Sequence, residues 1–364
     1  ADLSRTYAPA AAEKKCIAVV SGPWKGRRLD PNVLTLDYAR YSLDGGKTFS
    51  QPEPVIGIHA RLRDKGYCGR LLLKFEINAR EIPATCSLAV EQPFMYRSVT
   101  VNGTRVFFTE EYYCDDSFKT SSIDELVDRG RNEICLSLDY VAPKPNDLDP
   151  VKRYGTEIES IYLTGDFGVR ARASEHPLKT SQKNSLKVLE PKPVLSYSGF
   201  ELDAETQTFD GNLTDAGYPF YAGSFELENE FIVDTVENQR RYFLSFPSFE
   251  ATVIRVEING SPLPPLVFNP FEADITELLH EGVNSVKVTL TNSLRNMLGP
   301  HHHKGGELIA VGPLSFTGET SWTSTDKGEA NWYDVRLTGE AGIWRDDYYM
   351  VPFGLLEAPQ ILIQ

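Results

Sequence analysis

The feature of this sequence that most constrains its fold is a motif that occurs twice. Each copy is a β-type run ending in Asn-Gly, then a loop with one helical turn, then a Gly-x-Asn step into another β-type run. The Asn-Gly pairs are Asn102-Gly103 and Asn259-Gly260. Both residue types accept positive φ, so the pairs predict tight turns between antiparallel strands. Because the two copies differ mainly in the length of one loop, we expect two copies of one fold.

Short runs of alternating apolar residues dominate the rest of the chain and predict strands. They are four to eight residues long, rich in Val, Ile, Phe, Tyr or Thr, and bounded by Gly, Pro, Asn or Asp. Helical periodicity is confined to single turns, at 123–127 and 275–279. The prediction is an all-β fold of two tandem β-sandwiches. We place the first, with an N-terminal linker strand, at 1–190 and the second at 191–364, because the proline-bounded, Lys-rich segment 173–193 is typical of a connector.

Length and charge narrow the class of protein. A chain of 364 residues suits two domains, and its net charge of −14 repels phosphate backbones and anionic lipids. No run of about 18 apolar residues occurs, so we expect neither nucleic acid nor membrane as a partner. The five cysteines all lie in the first 135 residues without metal-ligand spacing. An odd count of this kind favours reduced thiols, and therefore a cytoplasmic over a secreted location.

The second copy of the motif resembles a known domain family. Asn259-Gly260, then Asp274-Ile275-Thr276, then Gly282-x-Asn284 is similar to the sugar-binding, galactose-binding-like jelly roll of family 2 glycoside hydrolases. The first copy departs from it, with Ser122-Ile123-Asp124 in place of Asp-Ile-Thr. Three further stretches, 32–38, 161–169 and 295–302, resemble the region after the catalytic domain in bacterial glycoside hydrolases of the family 2 and α-L-rhamnosidase-like type.

This resemblance covers most of residues 30–364 and implies two galactose-binding-like jelly rolls. It also implies a non-catalytic accessory region of a bacterial glycoside hydrolase, which braces an upstream catalytic domain of the same polypeptide and binds carbohydrate. Two alternatives stay open. One is a glycosidase in its own right, with carboxylates supplied by loops, and the other is a purely structural spacer. The spacer would expose an apolar patch where the catalytic domain docks.

Aromatic and histidine side chains are the candidate carbohydrate contacts. Trp322, Trp332 and Tyr333 lie among Gly, Asn, Asp and Thr, as loop residues do, and indole faces stack on pyranose rings. Tryptophan more commonly fills a core. We therefore expect at least one of the four tryptophans, Trp24, Trp322, Trp332 and Trp344, to do so. His301 and His303 are added as candidates from the run at 301–303. They share an ion only if a carboxylate such as Glu307 joins them, so the metal assignment stays open.

Acidic residues are plentiful, but their pattern does not indicate catalysis. The adjacent pairs at 110–111, 115–116 and 346–347 face opposite ways if they lie in strands, whereas glycoside hydrolysis requires two converging carboxyls. We therefore assign no catalytic residue. No cofactor is indicated, with a structural calcium ion left open at Asp210-Gly211-Asn212 or Asp326, whose ordinary interpretation is acidic turns in solvent.

Overall fold

Most strands form two pairs of packed sheets in the computed structural model, which describes residues 14–179, 193–302, 306 and 344–364. In chain order the described strands are β1 (Lys15–Val19), β2 (Trp24–Arg28), β3 (Asn32–Leu36), β4 (Tyr38–Ser42), β5 (Glu53–Pro54), β6 (Cys68–Ala79), β7 (Cys86–Glu91), β8 (Tyr96–Val101), β9 (Thr104–Val106), β10 (Tyr112–Tyr113), β11 (Asp115–Ser122), β12 (Gly130–Val141), β13 (Ile161–Gly165), β14 (Gly168–Ala173), β15 (Leu195–Asp203), β16 (Thr208–Phe209), β17 (Ser224–Val233), β18 (Tyr242–Ser245), β19 (Phe249–Glu250), β20 (Val253–Ile258), β21 (Ser261–Pro262), β22 (Glu272–Asp274), β23 (Gly282–Thr291), β24 (Tyr348–Met350), β25 (Gly354–Leu355) and β26 (Gln360–Ile363).

Helices are short among the described residues. They are α1 (Val55–Asp64), α2 (Pro150–Tyr154), α3 (Arg295–Leu298) and two single 3₁₀ turns, Pro93–Met95 and Asp124–Leu126. The ten-residue α1 exceeds the single turns expected from the sequence. Its buried side chains Val55, Ile58 and Leu62 follow helical spacing and pack into a core that the sheets supply. No helix of the described part is long and apolar enough to cross a membrane.

The first sandwich packs a sheet of strands β10-β11-β7-β13-β3 against a larger one that contains β4, β6, β12, β8 and β9. Alternation along β6 and β12 sends Leu71, Leu73 and Phe75, with Ile134 and Leu136, into the core between the sheets. β14, β15 and β24 extend the larger sheet. The two packed antiparallel faces explain why these runs alternate in the sequence.

The second sandwich repeats this arrangement. Its sheets are β2-β17-β23-β20-β21, with β16 beside β2, and β1-β26-β18-β22. In strand order the first matches β4-β6-β12-β8-β9 and the second matches β3-β13-β7-β11. Trp24 is 2% exposed and fills this second core, as expected for at least one tryptophan. The predicted all-β fold of two sandwiches is therefore confirmed.

The first two strands of the second sandwich come from the start of the described chain. β1 pairs with β26, and β2 pairs with β16 and β17. Residues 15–28 thus lie in the second sandwich, although a division at residue 190 assigns them to the first. The physical reason is that β26 and β17 would otherwise be left with unpaired edges. β15 and β24, which the same division assigns to the second sandwich, extend a sheet of the first. For the other residues the division stays a prediction.

The repeated Asn motifs form the same hydrogen bonds in both sandwiches. Asn102 Nδ2 donates to Asn132 Oδ1 at 2.8 Å, and Asn259 Nδ2 donates to Asn284 Oδ1 at 2.9 Å. Each donor also reaches the carbonyl of the intervening helical turn, at Leu126 or Leu278. Asn102 and Asn259 have φ of 48° and 51°, as their Asn-Gly turns require. The two motifs therefore have the same structural role: each connects a hairpin to the neighbouring loop by hydrogen bonds.

Polar contacts join the two sandwiches. Arg28 of β2 donates to Asp166 of the first sandwich and, through Nε at 2.6 Å, to Glu205. Asn32 Nδ2 donates to the carbonyls of Phe167 and Gly217 at 2.7 and 2.9 Å. Asn32 is fully buried, so these bonds satisfy a polar side chain at the junction. All five cysteines are free thiols.

Candidate functional site

A cavity of about 640 Å³ opens where the end of β3 meets the segment after α3. Three hydrogen bonds that involve side chains hold these segments together. Thr35 Oγ1 of β3 donates to the Met297 carbonyl of α3 at 2.8 Å. Asn296 pairs with the backbone of Val351 through both amide atoms, at 2.8 and 3.0 Å. Strand β3, helix α3 and the C-terminal segment are therefore fixed relative to each other around the cavity.

Asp37, the residue after β3, is the centre of a polar cluster on the cavity wall. Its Oδ2 lies 2.9 Å from His302 Nε2 and 4.0 Å from His301 Nδ1, and its Oδ1 accepts the Tyr348 hydroxyl at 2.5 Å. Burial alone would raise the pKa of this carboxyl. The hydrogen bonds that join this carboxyl to His302 and Tyr348 outweigh burial and lower the pKa below its usual value. Asp37 is therefore ionised.

Both imidazoles are held by backbone carbonyls on the side away from Asp37. His302 Nδ1 lies 2.9 Å from the Arg345 carbonyl and 3.0 Å from the Asp347 carbonyl. His301 Nε2 lies 2.7 Å from the Asn296 carbonyl. The indole of Trp344 stacks on the His302 ring, with centroids 4.5 Å apart and 18° between planes. Desolvation lowers the pKa of His301 to about 3, so this buried ring is neutral.

The opposite part of the cavity wall is acidic. Glu91, Glu157 and Glu159 line it together with His59 and Arg63. Glu159 borders solvent, but the cavity walls desolvate its carboxyl and the charges of Glu157 and Glu91 repel its ionised form. These effects raise its pKa to about 7. The cavity therefore combines an ionised carboxylate with a carboxyl whose pKa lies near neutral pH.

The sequence-based candidates have different outcomes. His301 lies on the cavity wall, buried and edge-on to Phe220. Trp322, Trp332, Tyr333 and His303 lie outside the described residues, as do Glu307 and Asp326. The structure brings His302, the neighbour of His301, to Asp37. Both rings reach one carboxylate because residues 301–302 are not in a strand and approach Asp37 through different ring nitrogens.

Asp37 and Trp344 are site residues that sequence reasoning missed. Asp37 follows a buried run, Asn32–Leu36, and that position at a strand end is a signal of a functional carboxylate. Trp344 carries no such signal, because its contact with His302 joins distant parts of the chain. Asp210-Gly211-Asn212, the calcium candidate, uses its Asn212 side chain locally, donating to Asp215 Oδ2 at 2.7 Å.

Asp37, His301 and His302 are also the group among the described residues with metal-ligand atoms close enough to share an ion. One ligand atom from each lies within 4.8 Å of the other two. Carboxylate oxygen and imidazole nitrogen are the donors that zinc and related divalent ions take. The cluster therefore offers three ligands next to an open cavity.

Comparison with known proteins gives partial structural similarity and no sequence match. No protein-family model and no curated protein matches the chain. Among solved structures, a β-D-mannosidase from Dictyoglomus thermophilum has 11% identity and a TM-score of 0.29, over 72% of this chain and 31% of that one. A rhamnosidase from Novosphingobium sp. PP1Y has 12% identity and a TM-score of 0.27, over 84% and 26%.

An exo-chitosanase from Amycolatopsis orientalis has 11% identity and a TM-score of 0.28, over 72% of this chain and 29% of that one. The chain spans about a third or less of the length of these three structures. TM-scores below 0.5 do not establish a common fold, so the fold stands on the sheets and cores described above.

Proposed function

We propose that this chain is the non-catalytic accessory region of a bacterial glycoside hydrolase, and that it binds carbohydrate in the cavity between β3 and α3. The observation that carries the proposal is the composition of the cavity wall. Aromatic rings of Trp344, Phe118 and Tyr162 border it together with polar groups such as His59 and Ser160. Aromatic faces with a few fixed hydrogen-bonding groups are what a sugar ring requires.

The size of the cavity supports the same ligand class. Its 640 Å³ falls within the roughly 300–1,000 Å³ range of small-ligand pockets. The acidic wall and the net charge of −14 favour a neutral or cationic sugar over an anionic one. Carbohydrate is thus the proposed partner, and the motifs of the jelly-roll resemblance are consistent with it.

The bracing part of the proposal assigns a docking face to the catalytic domain of the same polypeptide. Phe94 and Phe107 are 84% and 72% exposed and border one groove of about 330 Å³ on the first sandwich. Exposed phenylalanines that share a groove indicate a protein contact, because they otherwise leave apolar surface in water. Replacing both with serine is expected to separate the catalytic domain from this region in the parent protein.

The binding test is calorimetric titration of the full chain with galactose- and rhamnose-containing oligosaccharides. Ser160→Trp, which fills the cavity from its wall, is expected to abolish saturable binding. Ser198→Trp, on an exposed strand position away from the cavity, is the matched control and is expected to bind normally. If binding is lost in Trp332→Ala and kept in Ser160→Trp, the sugar binds at the sequence-based site. If no oligosaccharide binds, the chain is a spacer.

A second candidate, a glycosidase in its own right, is favoured by one observation. Glu159, with a pKa of about 7, and Asp37, with a lowered pKa, line the same cavity. Carboxyls whose environments push their pKa values apart are what acid–base catalysis uses. This candidate requires turnover of aryl glycosides by the chain alone, lost in Glu159→Gln. Binding without turnover contradicts it.

A further inference from the structure

We propose that Asp37, His301 and His302 bind a divalent transition-metal ion of the zinc type at the cavity wall. The ligand atoms are Asp37 Oδ2, His301 Nδ1 and His302 Nε2. The inference is independent of carbohydrate binding, because it concerns the ligand atoms and their hydrogen-bond partners alone.

The first argument is the tautomer of each imidazole. A backbone carbonyl only accepts hydrogen bonds, so the ring nitrogen that faces it carries the proton. His302 Nδ1 faces the carbonyls of Arg345 and Asp347, and His301 Nε2 faces the carbonyl of Asn296. A ring that carries a single proton therefore presents a lone pair at its other nitrogen, His302 Nε2 or His301 Nδ1. Both are directed toward the Asp37 carboxylate.

The second argument is that a metal ion satisfies this convergence. A neutral imidazole lone pair that lies 2.9 Å from a carboxylate oxygen repels it. A metal ion between them converts the repulsion into two bonds. Carbonyls that hold the far nitrogens are the partners that commonly orient histidines bound to metal. The alternative, a second proton on His302, gives a simple ion pair and is an outcome of the test below.

The third argument is distance. Zinc bonds of about 2.0–2.1 Å in tetrahedral geometry place neighbouring ligand atoms roughly 3.3 Å apart. The distances from Asp37 Oδ2, 2.9 Å to His302 Nε2 and 4.0 Å to His301 Nδ1, lie on either side of this value. Binding of the ion would therefore bring His301 Nδ1 closer to Asp37 Oδ2 and leave His302 Nε2 near its present distance.

The surroundings fix the ligands and leave one coordination position accessible. Trp344 stacks on His302, Phe220 packs edge-on to His301, and the Tyr348 hydroxyl holds Asp37 Oδ1. Asp37, His301 and His302 all border the 640 Å³ cavity. The fourth position therefore faces the cavity, where water or a hydroxyl group of a ligand completes the coordination.

The test is a titration of EDTA-treated full-length chain with Zn²⁺ by calorimetry. We expect one site, and we expect Asp37→Asn to weaken its affinity at least about 10-fold. His59→Gln is the matched control: it removes a histidine from the same cavity wall outside the cluster, and its affinity is expected to stay within about two-fold. Equal affinities for Asp37→Asn and the unaltered chain would overturn the proposal, and so would the absence of binding.

X-ray absorption at the zinc edge, on the unaltered protein, keeps the proposal testable if Asp37→Asn does not fold. We expect nitrogen and oxygen ligands at about 2.0–2.1 Å with imidazole scattering. Sulfur at about 2.3 Å would mean that free cysteines hold the ion and would overturn the assignment. An NMR signal for a proton on His302 Nε2 with zinc in excess would show the ion pair instead, with the same consequence.

Discussion

Asp37 and His302 lie 265 positions apart in the chain, yet Asp37 Oδ2 and His302 Nε2 are 2.9 Å apart in the fold. Asp37 follows a strand of the first sandwich, and His302 follows the short helix α3 after a long strand of the second. The contact between them therefore depends on how the two sandwiches pack against each other, and it carries the proposed metal site.

The hydroxyl of Tyr348 is expected to stabilise this contact measurably. It donates to Asp37 Oδ1 at 2.5 Å, so Tyr348→Phe leaves a buried charged oxygen without that donor. We expect a loss of about 1–3 kcal/mol in the free energy of unfolding, measured by urea denaturation. Tyr349→Phe is the control, since that hydroxyl makes no hydrogen bond among the described residues. Equal losses in the two variants would contradict the role given to Tyr348.

The repeated Asn motif is expected to contribute the same stability in each sandwich. Asn284 is fully buried, donates to the His280 and Gly282 carbonyls, and accepts from Asn259. Asn284→Ala removes these bonds, with an expected loss of roughly 2–4 kcal/mol from the unsatisfied partners.

Asn132→Ala is expected to cost about as much, because Asn132 makes the corresponding bonds to Asp128, Gly130 and Asn102. Asn78→Ala, at an exposed position of β6, is the control and is expected to change stability by less than about 0.5 kcal/mol. Chemical denaturation measures all three. A large difference between the first two variants would argue against equivalent motifs.

Gly354 is expected to tolerate no side chain. Its φ is +127°, and an added Cβ would lie 2.1 Å from the Gly211 carbonyl oxygen. Gly354→Ala is therefore expected to cost more than about 3 kcal/mol, since backbone must move. Gly260→Ala measures the cost of the positive φ without a steric clash, since its φ is +79° and nothing lies within 4 Å of an added Cβ. We expect a loss of about 1–2 kcal/mol in the free energy of unfolding. Stability is measured by thermal or urea unfolding. Equal losses of stability in the two variants would contradict the close approach of Gly354 to the Gly211 carbonyl oxygen.

Glu159 is expected to make stability fall as pH rises. The folded state raises the pKa of this carboxyl from 4.5 to about 7, so it binds the proton more tightly than the unfolded chain does. Between about pH 4.5 and 7 the unfolded state binds fewer protons, and the free energy of unfolding therefore decreases with increasing pH.

Glu159→Gln keeps the shape and removes the titration, so its stability is expected to be less pH-dependent across that window. Glu125→Gln, at an exposed position outside the cavity, is the control and is expected to keep the slope of the unaltered chain. Denaturation curves at pH 5, 6, 7 and 8 provide the comparison. A slope that persists in Glu159→Gln would mean that another group titrates.

Local patterns in the sequence were sufficient to predict the fold class and the structure of the repeated motif. Asn102-Gly103 and Asn259-Gly260 need positive φ, and alternation along β6 and β23 requires one buried face, so both features follow from nearby residues. Helix α1 was missed because its pattern of apolar residues extends over only ten positions. The helix gains its stability from packing into the core of the first sandwich.

The pairing of β1 with β26, and of Asp37 with His302, was decided by the tertiary structure alone. Each joins residues hundreds of positions apart, and no local pattern encodes which distant strand will cover an open edge or which loop will reach a strand end. His301 was predicted from the sequence because it lies in a run of three histidines, a residue type that commonly binds metal. Asp37, the carboxylate near it, was not predicted. The sequence determined the sandwiches through short-range periodicity and turn chemistry. Only the packing of one sandwich against the other determined the site, because that packing alone brings the ligand atoms within bonding distance.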